Sequence, residues 1–128
     1  MRLNIDDLAN RKVILEYEGH EFPLELKFTL SVAVALEEKA GSLGEFKKLQ
    51  TLSNAIFCLQ KMVENAVRQY NADNAVKIPQ INDYSALIDK CGIVNVLTIE
   101  NAIWTVVMAD SNTEDKSNVE SKKKRESP

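Results

Sequence analysis

Apolar residues return every three or four positions from Leu43 to Tyr70: Leu43, Phe46, Leu49, Leu52, Ile56, Leu59, Val63, Val67 and Tyr70. This is the helical period, held for about eight turns. Glu45, Lys47, Lys48, Gln50, Asn54, Lys61, Glu64 and Arg68 fall between them and form a polar face. Ser42 with Glu45 three residues on reads as a capping box, in which each side chain satisfies an amide at the helix start. Neither glycine nor proline interrupts residues 45–70. The pattern predicts a helix over about 43–71, roughly 40 Å long at about 1.5 Å per residue. The rest of the chain is expected to pack along its apolar stripe.

Before this helix the period is two. Val13, Leu15 and Tyr17 alternate with Ile14, Glu16 and Glu18; Phe22, Leu24 and Leu26 alternate with Pro23, Glu25 and Lys27. Gly19 and His20 lie between the two runs, which predicts a β-hairpin over 12–27 with the first member of each set facing the core. Pro23 has no amide hydrogen to donate, so its amide side is expected to face away from the partner strand. Two strands alone are marginal in water and need helices or another chain against them. Residues 1–11 are mixed, with Leu3, Ile5 and Leu8 as anchors, and read as a flexible lead or a short helical turn.

A first helix is expected over about 30–40, capped by Thr29 or Ser31 and stopped by Gly41, with Leu30, Ala33, Val34 and Leu36 as its apolar face. The short link to the next helix favours an antiparallel helical hairpin. Val76, Ile78 and Pro79 form an extended stretch, a candidate third strand. Asn82 or Asp83 caps a helix over about 83–91 that Gly92 stops. Asn95 or Thr98 caps a last helix over about 96–109, apolar nearly all round: Val96, Leu97, Ile99, Ala102, Ile103, Trp104, Val106, Val107 and Met108. Such a helix is either central to a core or exposed for a partner. Residues 110–128 hold one hydrophobe, Val119, among polar and charged residues, and read as a disordered tail. The fold class is therefore α+β: an N-terminal β-hairpin packed on a mostly α-helical bundle of about four helices, as one domain over 12–109.

Composition adds limits. The chain has 128 residues, 45% hydrophobic and 27% charged, as expected of a single globular domain. A net charge of −3 argues against a dedicated nucleic-acid binder. No apolar run approaches the roughly 18 residues of a membrane span, and residues 1–10 lack the apolar core of a signal peptide. The expected location is cytoplasmic. Cys58 and Cys91 read as small buried hydrophobes in a reducing compartment. With His20 they offer no zinc spacing, and no cofactor is expected.

Candidate catalytic groups are few. Asp6 with Asp7 and Glu37 with Glu38 are paired carboxylates, but acid–base chemistry needs two carboxyls in different environments within a cleft. No nucleophile elbow or phosphate loop is present, so the chain reads as non-enzymatic. Trp104, Tyr84 and Phe46 are either an aromatic pocket or, at helical spacing, part of the core. Lys122, Lys123, Lys124 and Arg125 are a solvated charge run, a nucleic-acid contact, or the product of A-rich codons on which a ribosome can slip.

The stretch KVILEYEGHEFPLELKFTLSVAVALEEKAGSLGEF, residues 12–46, carries a resemblance. A hairpin centred on a glycine turn, with Tyr17, Gly19, Phe22 and Leu24 around it, runs into a helix ending at glycine and then a second helix. In this order of elements and its charged tail the chain resembles the tail assembly chaperones of long-tailed phages and prophages. The resemblance implies a non-enzymatic protein of the host cytoplasm that coats the tape measure protein during tail assembly and is absent from the finished virion. It also implies a longer form made by ribosomal frameshifting, for which the lysine run near Pro128 is a place. The expected partner is the tape measure protein or another tail protein, with the hairpin edge open to a second copy. The apolar excess of the last helix points to Val96, Ile99, Ile103, Trp104 and Val107 as the partner-binding surface. A small regulatory or adaptor binding module is the alternative.

Overall fold

The computed structural model of the protein describes residues 1–91 and 96–126, with side chains described through residue 111. Gly92 and Asn95, expected as a helix stop and a helix cap, lie outside the described residues, as do the side chains of the lysine run.

The predicted hairpin is present as β2 (Lys12–Tyr17) and β3 (His20–Glu25). Tyr17 pairs with His20, so Glu18 and Gly19 form the turn, one position earlier than the glycine–histidine pair suggests. Both have positive φ, 49° and 80°, as the right-handed twist of a two-residue hairpin demands. Val13, Leu15, Phe22, Leu24 and Leu26 are buried, as the alternation predicts. The third strand comes from the opposite end of the chain to the candidate at 76–79. β1 (Arg2–Asn4) pairs antiparallel with β2, giving the order β1-β2-β3. The expected flexible lead is thus ordered structure: Leu3 and Leu8 are buried, and a 3-10 turn over Leu8–Asn10 ends on Arg11 at φ 67°. A lead this polar gave no periodicity to read; three residues suffice for a strand when one of them reaches the core.

α1 (Leu30–Ala40) begins at Thr29 and ends at Gly41, as expected. Its buried face is Val32 and Leu36, whereas Leu30 and Val34 lie in solvent. Both pairs are four residues apart, so spacing alone could not choose the phase. The long helix is shorter than the pattern predicts. α2 (Phe46–Leu49) is a single turn, and α3 (Leu52–Asp73) starts afresh after it. Thr51 causes the break. In extended geometry its hydroxyl accepts from Asn54 N at 3.2 Å, while Asn54 Nδ2 donates to Leu49 O at 2.9 Å. The Ser42–Glu45 box does not form: Ser42 Oγ accepts from Gly44 N, and Glu45 pairs with Lys48.

α1 lies antiparallel to α3, as the short link implies. Ser31 Oγ accepts from Asn65 at one end, and Lys39 Nζ donates to Ser53 Oγ and Asn54 Oδ1 at the other. The sheet rests on α3 through Phe22 and Tyr70, edge to face with centroids 5.6 Å apart. The stretch 74–83 is not a strand; Asn71 holds it by accepting from Ile78 N and donating to Ile78 O. Asp83 caps α4 (Tyr84–Asp89) by accepting from Ala86 N at 3.0 Å. The helical backbone of α5 runs Val96–Glu126, past residue 109 and through the stretch expected as a disordered tail. No glycine or proline lies between Val96 and Glu126 to stop it.

Asp110 ties the ends of the fold together. One carboxylate oxygen pairs with Arg11, between the 3-10 turn and β2; the other accepts from Phe28 N at 2.7 Å, ahead of α1. Three distant segments therefore meet on one partly buried side chain. Asp110→Ala is expected to destabilise the protein by about 1–3 kcal/mol, the range for losing hydrogen bonds to a charged group. Asp110→Asn can still accept from Phe28 and is expected to lose less. Urea denaturation followed by circular dichroism measures both.

Candidate partner-binding surface

α5 was expected to offer Val96, Ile99, Ile103, Trp104 and Val107 to a partner, and the fold corrects this. Ile103, Trp104 and Val107 are core residues, with 0%, 4% and 0% exposure, and Val106 is buried beside them. Ile99 is half-buried. Only Val96 of the five is open to solvent, and Leu97, not singled out by the sequence, is more open at 70%. The apolar surplus is therefore spent on two sides of the helix. One side belongs to the common core with α3; on another, Trp104 meets Phe46 of α2 edge to face, centroids 5.9 Å apart. Tyr84 does not complete an aromatic pocket with them; it lines a shallow hollow with Glu64 and Arg68.

Apolar side chains reach solvent elsewhere. Leu30 is 76% exposed, and Val34 lies four residues on along the same helix. Both were expected on the apolar face of the first helix with Ala33 and Leu36, of which Leu36 is buried. With Val96 and Leu97 in the first turn of α5, Leu30 and Val34 place exposed apolar side chains on two helices.

The sheet offers a second kind of surface, along β3. Tyr17 opposite His20 closes the turn, so the hydrogen-bonded pairs alternate from there and Pro23 falls at a non-bonded position opposite Ile14. Its missing amide hydrogen faces the free edge, as expected. Glu21 and Glu25 flank it on the exposed side. A proline and two carboxylates are the usual means of keeping an edge strand unpaired. Next to this edge a groove of about 710 Å³ runs between β3 and the second half of α3, lined by Pro23, Leu24, Met62, Arg68 and Tyr70 among others.

Chemistry is sparse on these surfaces. Among the described residues no group of three or more His, Cys, Asp or Glu side chains could hold a metal ion. Asp7 accepts a hydrogen bond from Asn10, and Glu37 and Glu38 are exposed on α1. No helix among the described residues is long and apolar enough to cross a membrane. Both cysteines are free thiols. Burial pushes the Cys58 thiol up to about 12, against a smaller opposing pull from Lys39. Burial also raises Cys91, with Arg2 opposing. Tyr84 is raised by burial first, then by the Glu64 carboxylate, with Arg68 opposing.

Two outcomes are expected. Pro23→Val restores the missing donor and a strand-favouring side chain, and should raise self-association of the chain in sedimentation velocity. Cys58 should resist an aromatic disulfide reagent at pH 8, since the thiolate is the reactive form. Its folded value lies above the roughly 8.5 of an unfolded cysteine. The neutral buried thiol therefore adds stability below about pH 8.5 that is lost as pH rises toward the folded value. Denaturation midpoints at pH 8 and pH 10 check the sign, against Cys58→Ala.

No family model matches the chain, and no curated protein and no solved structure does.

Proposed function

We propose that this protein is a tail assembly chaperone of a long-tailed phage or prophage, a non-enzymatic protein that binds the tape measure protein in the host cytoplasm and keeps it soluble during assembly. The resemblance of residues 12–46 brings the family; the exposure of Leu30, Val34, Val96 and Leu97 on two helices is the observation that supports binding. A tape measure is a long helical chain with apolar stripes. Apolar side chains presented on rigid helices can cover such stripes reversibly, helix against helix. A longer, frameshifted form would begin near the lysine run.

One observation favours a second reading. A coat of many copies gains from pairing between neighbours, and the proline and glutamates along β3 oppose it. A regulatory or adaptor module that works singly on one folded partner has no need of an open edge.

Co-expression with the tape measure protein tests the proposal. The native chain should keep it in the soluble fraction, and Leu97→Asp or Leu30→Asp should lower the soluble amount by about fivefold, roughly 1 kcal/mol of lost contact. Both positions are exposed, so the variants should fold with unchanged circular dichroism. A tape measure protein that stays insoluble beside the native chain, or is soluble without it, overturns the reading. Slippery codons for Lys122, Lys123 and Lys124, with an open overlapping frame, would support it from the gene.

A further inference from the structure

α1 carries an apolar stripe turned away from the rest of the fold. Its core side is Val32 and Leu36, both buried. At about 100° per residue, Val34 points directly away from the midpoint of that pair, with Leu30 one turn before it and Glu38 one turn after. Leu30 is 76% exposed and Val34 47%. Glu38 is exposed as well. Lys39, the one cation of α1, cannot neutralise it, because its ammonium is held by Ser53 and Asn54 on the α3 side.

A positive side chain lies at the other end of the stripe. Lys27, three residues ahead of Leu30, is exposed and lines the groove beside β3 together with Ser31. Ser31 and Glu38 are seven residues apart, two helical turns, so Lys27 and Glu38 flank the stripe on the same side. The ion pairs among the described residues use neither of them. A two-fold axis perpendicular to α1 turns the helix end for end and keeps each side chain on its own side of the stripe. With Leu30 of one copy over Val34 of the other, Glu38 of the second copy falls about 6 Å past Leu30, over the non-helical segment that holds Lys27. The register that joins the apolar side chains therefore also joins the opposite charges, twice per pair. A parallel pairing would set Glu38 against Glu38 and Lys27 against Lys27.

We propose that this face of α1 is a docking surface for a second copy of the chain, antiparallel across a two-fold axis, with Leu30 against Val34 and Lys27 against Glu38. The pairing uses only side chains of this chain, and it stands or falls apart from the function proposed above. Two apolar side chains per copy bury far less than the roughly 800 Å² per partner of a standard interface, so the dimer is a weak one.

Sedimentation velocity of the native chain should show the average mass rising from monomer at about 10 µM toward dimer at about 1 mM. Raising the salt from about 50 mM to about 500 mM should lower the association constant severalfold, since the paired charges are exposed. Val34→Ser should lower it about tenfold by removing apolar contact from both sides of the axis. Lys27→Glu and Glu38→Lys should each stay monomeric alone, because each sets like charges together. Mixed one to one, the two variants should associate as the native chain does, since both opposite-charge contacts are then restored. All three substitutions lie in solvent and should leave far-UV circular dichroism unchanged. A native chain that is monomeric at about 1 mM overturns the proposal. A native dimer that Val34→Ser leaves intact overturns it too, as do charge variants that pair as well alone as the native chain, or that pair no better mixed than alone.

Discussion

One constraint shapes this molecule: α3 has a broad apolar face, and no other element is large enough to cover it alone. Ala55, Cys58, Leu59, Met62, Val63 and Val67 are all buried along 22 residues. α1 covers one flank, α5 another, α4 the far end, and the sheet lays Phe22 and Leu24 against the second half. The β2–β3 hairpin would be marginal in water by itself, and a six-residue α4 would not hold as an isolated helix. Each is stable because α3 offers a surface already formed. Asp110 then closes the assembly by joining the N-terminal turn, the start of α1 and α5, which are distant in sequence.

Length is limited by local polar chemistry. An apolar repeat from Leu43 to Tyr70 would support one continuous helix, yet the hydroxyl of Thr51 offers Asn54 N an acceptor outside the helical ladder. Asn54, nearly buried, is satisfied on its other side by Leu49 O and Lys39. Two polar side chains thereby outvote the hydrophobic period over one turn. The detached turn folds back over α5, which places Phe46 on Trp104. The same break that shortens α3 thus brings one aromatic ring of α2 onto α5.

What the sequence showed and what it hid follow from the range of each interaction. The hairpin was legible because alternation and a glycine turn are local, and its inward residues came out as read. α1 with its stop, and the start of α4, were legible from Thr29, Gly41 and Asp83 for the same reason. β1 was not, because a three-residue strand is defined by its partner and not by its own pattern. The phase of α1 was not, because Leu30 with Val34 and Val32 with Leu36 are equivalent until the helix has a neighbour. The burial of Ile103, Trp104 and Val107 was hidden in the same way. Apolarity all round α5 was visible, but which side would meet α2 depended on a break at Thr51 that the nine-residue apolar repeat concealed. Thr51 and Asn54, three apart, were the available signal.

Burial and exposure now divide the functional surface in a definite way. Leu30, Val34, Val76, Val96 and Leu97 are among the large apolar side chains left in solvent, while along β3 a proline and two glutamates oppose strand pairing. Val32, Leu36, Ile103, Trp104, Val106 and Val107 of α1 and α5 lie in the core instead. Trp104 itself is buried, with Phe46 edge to face across it.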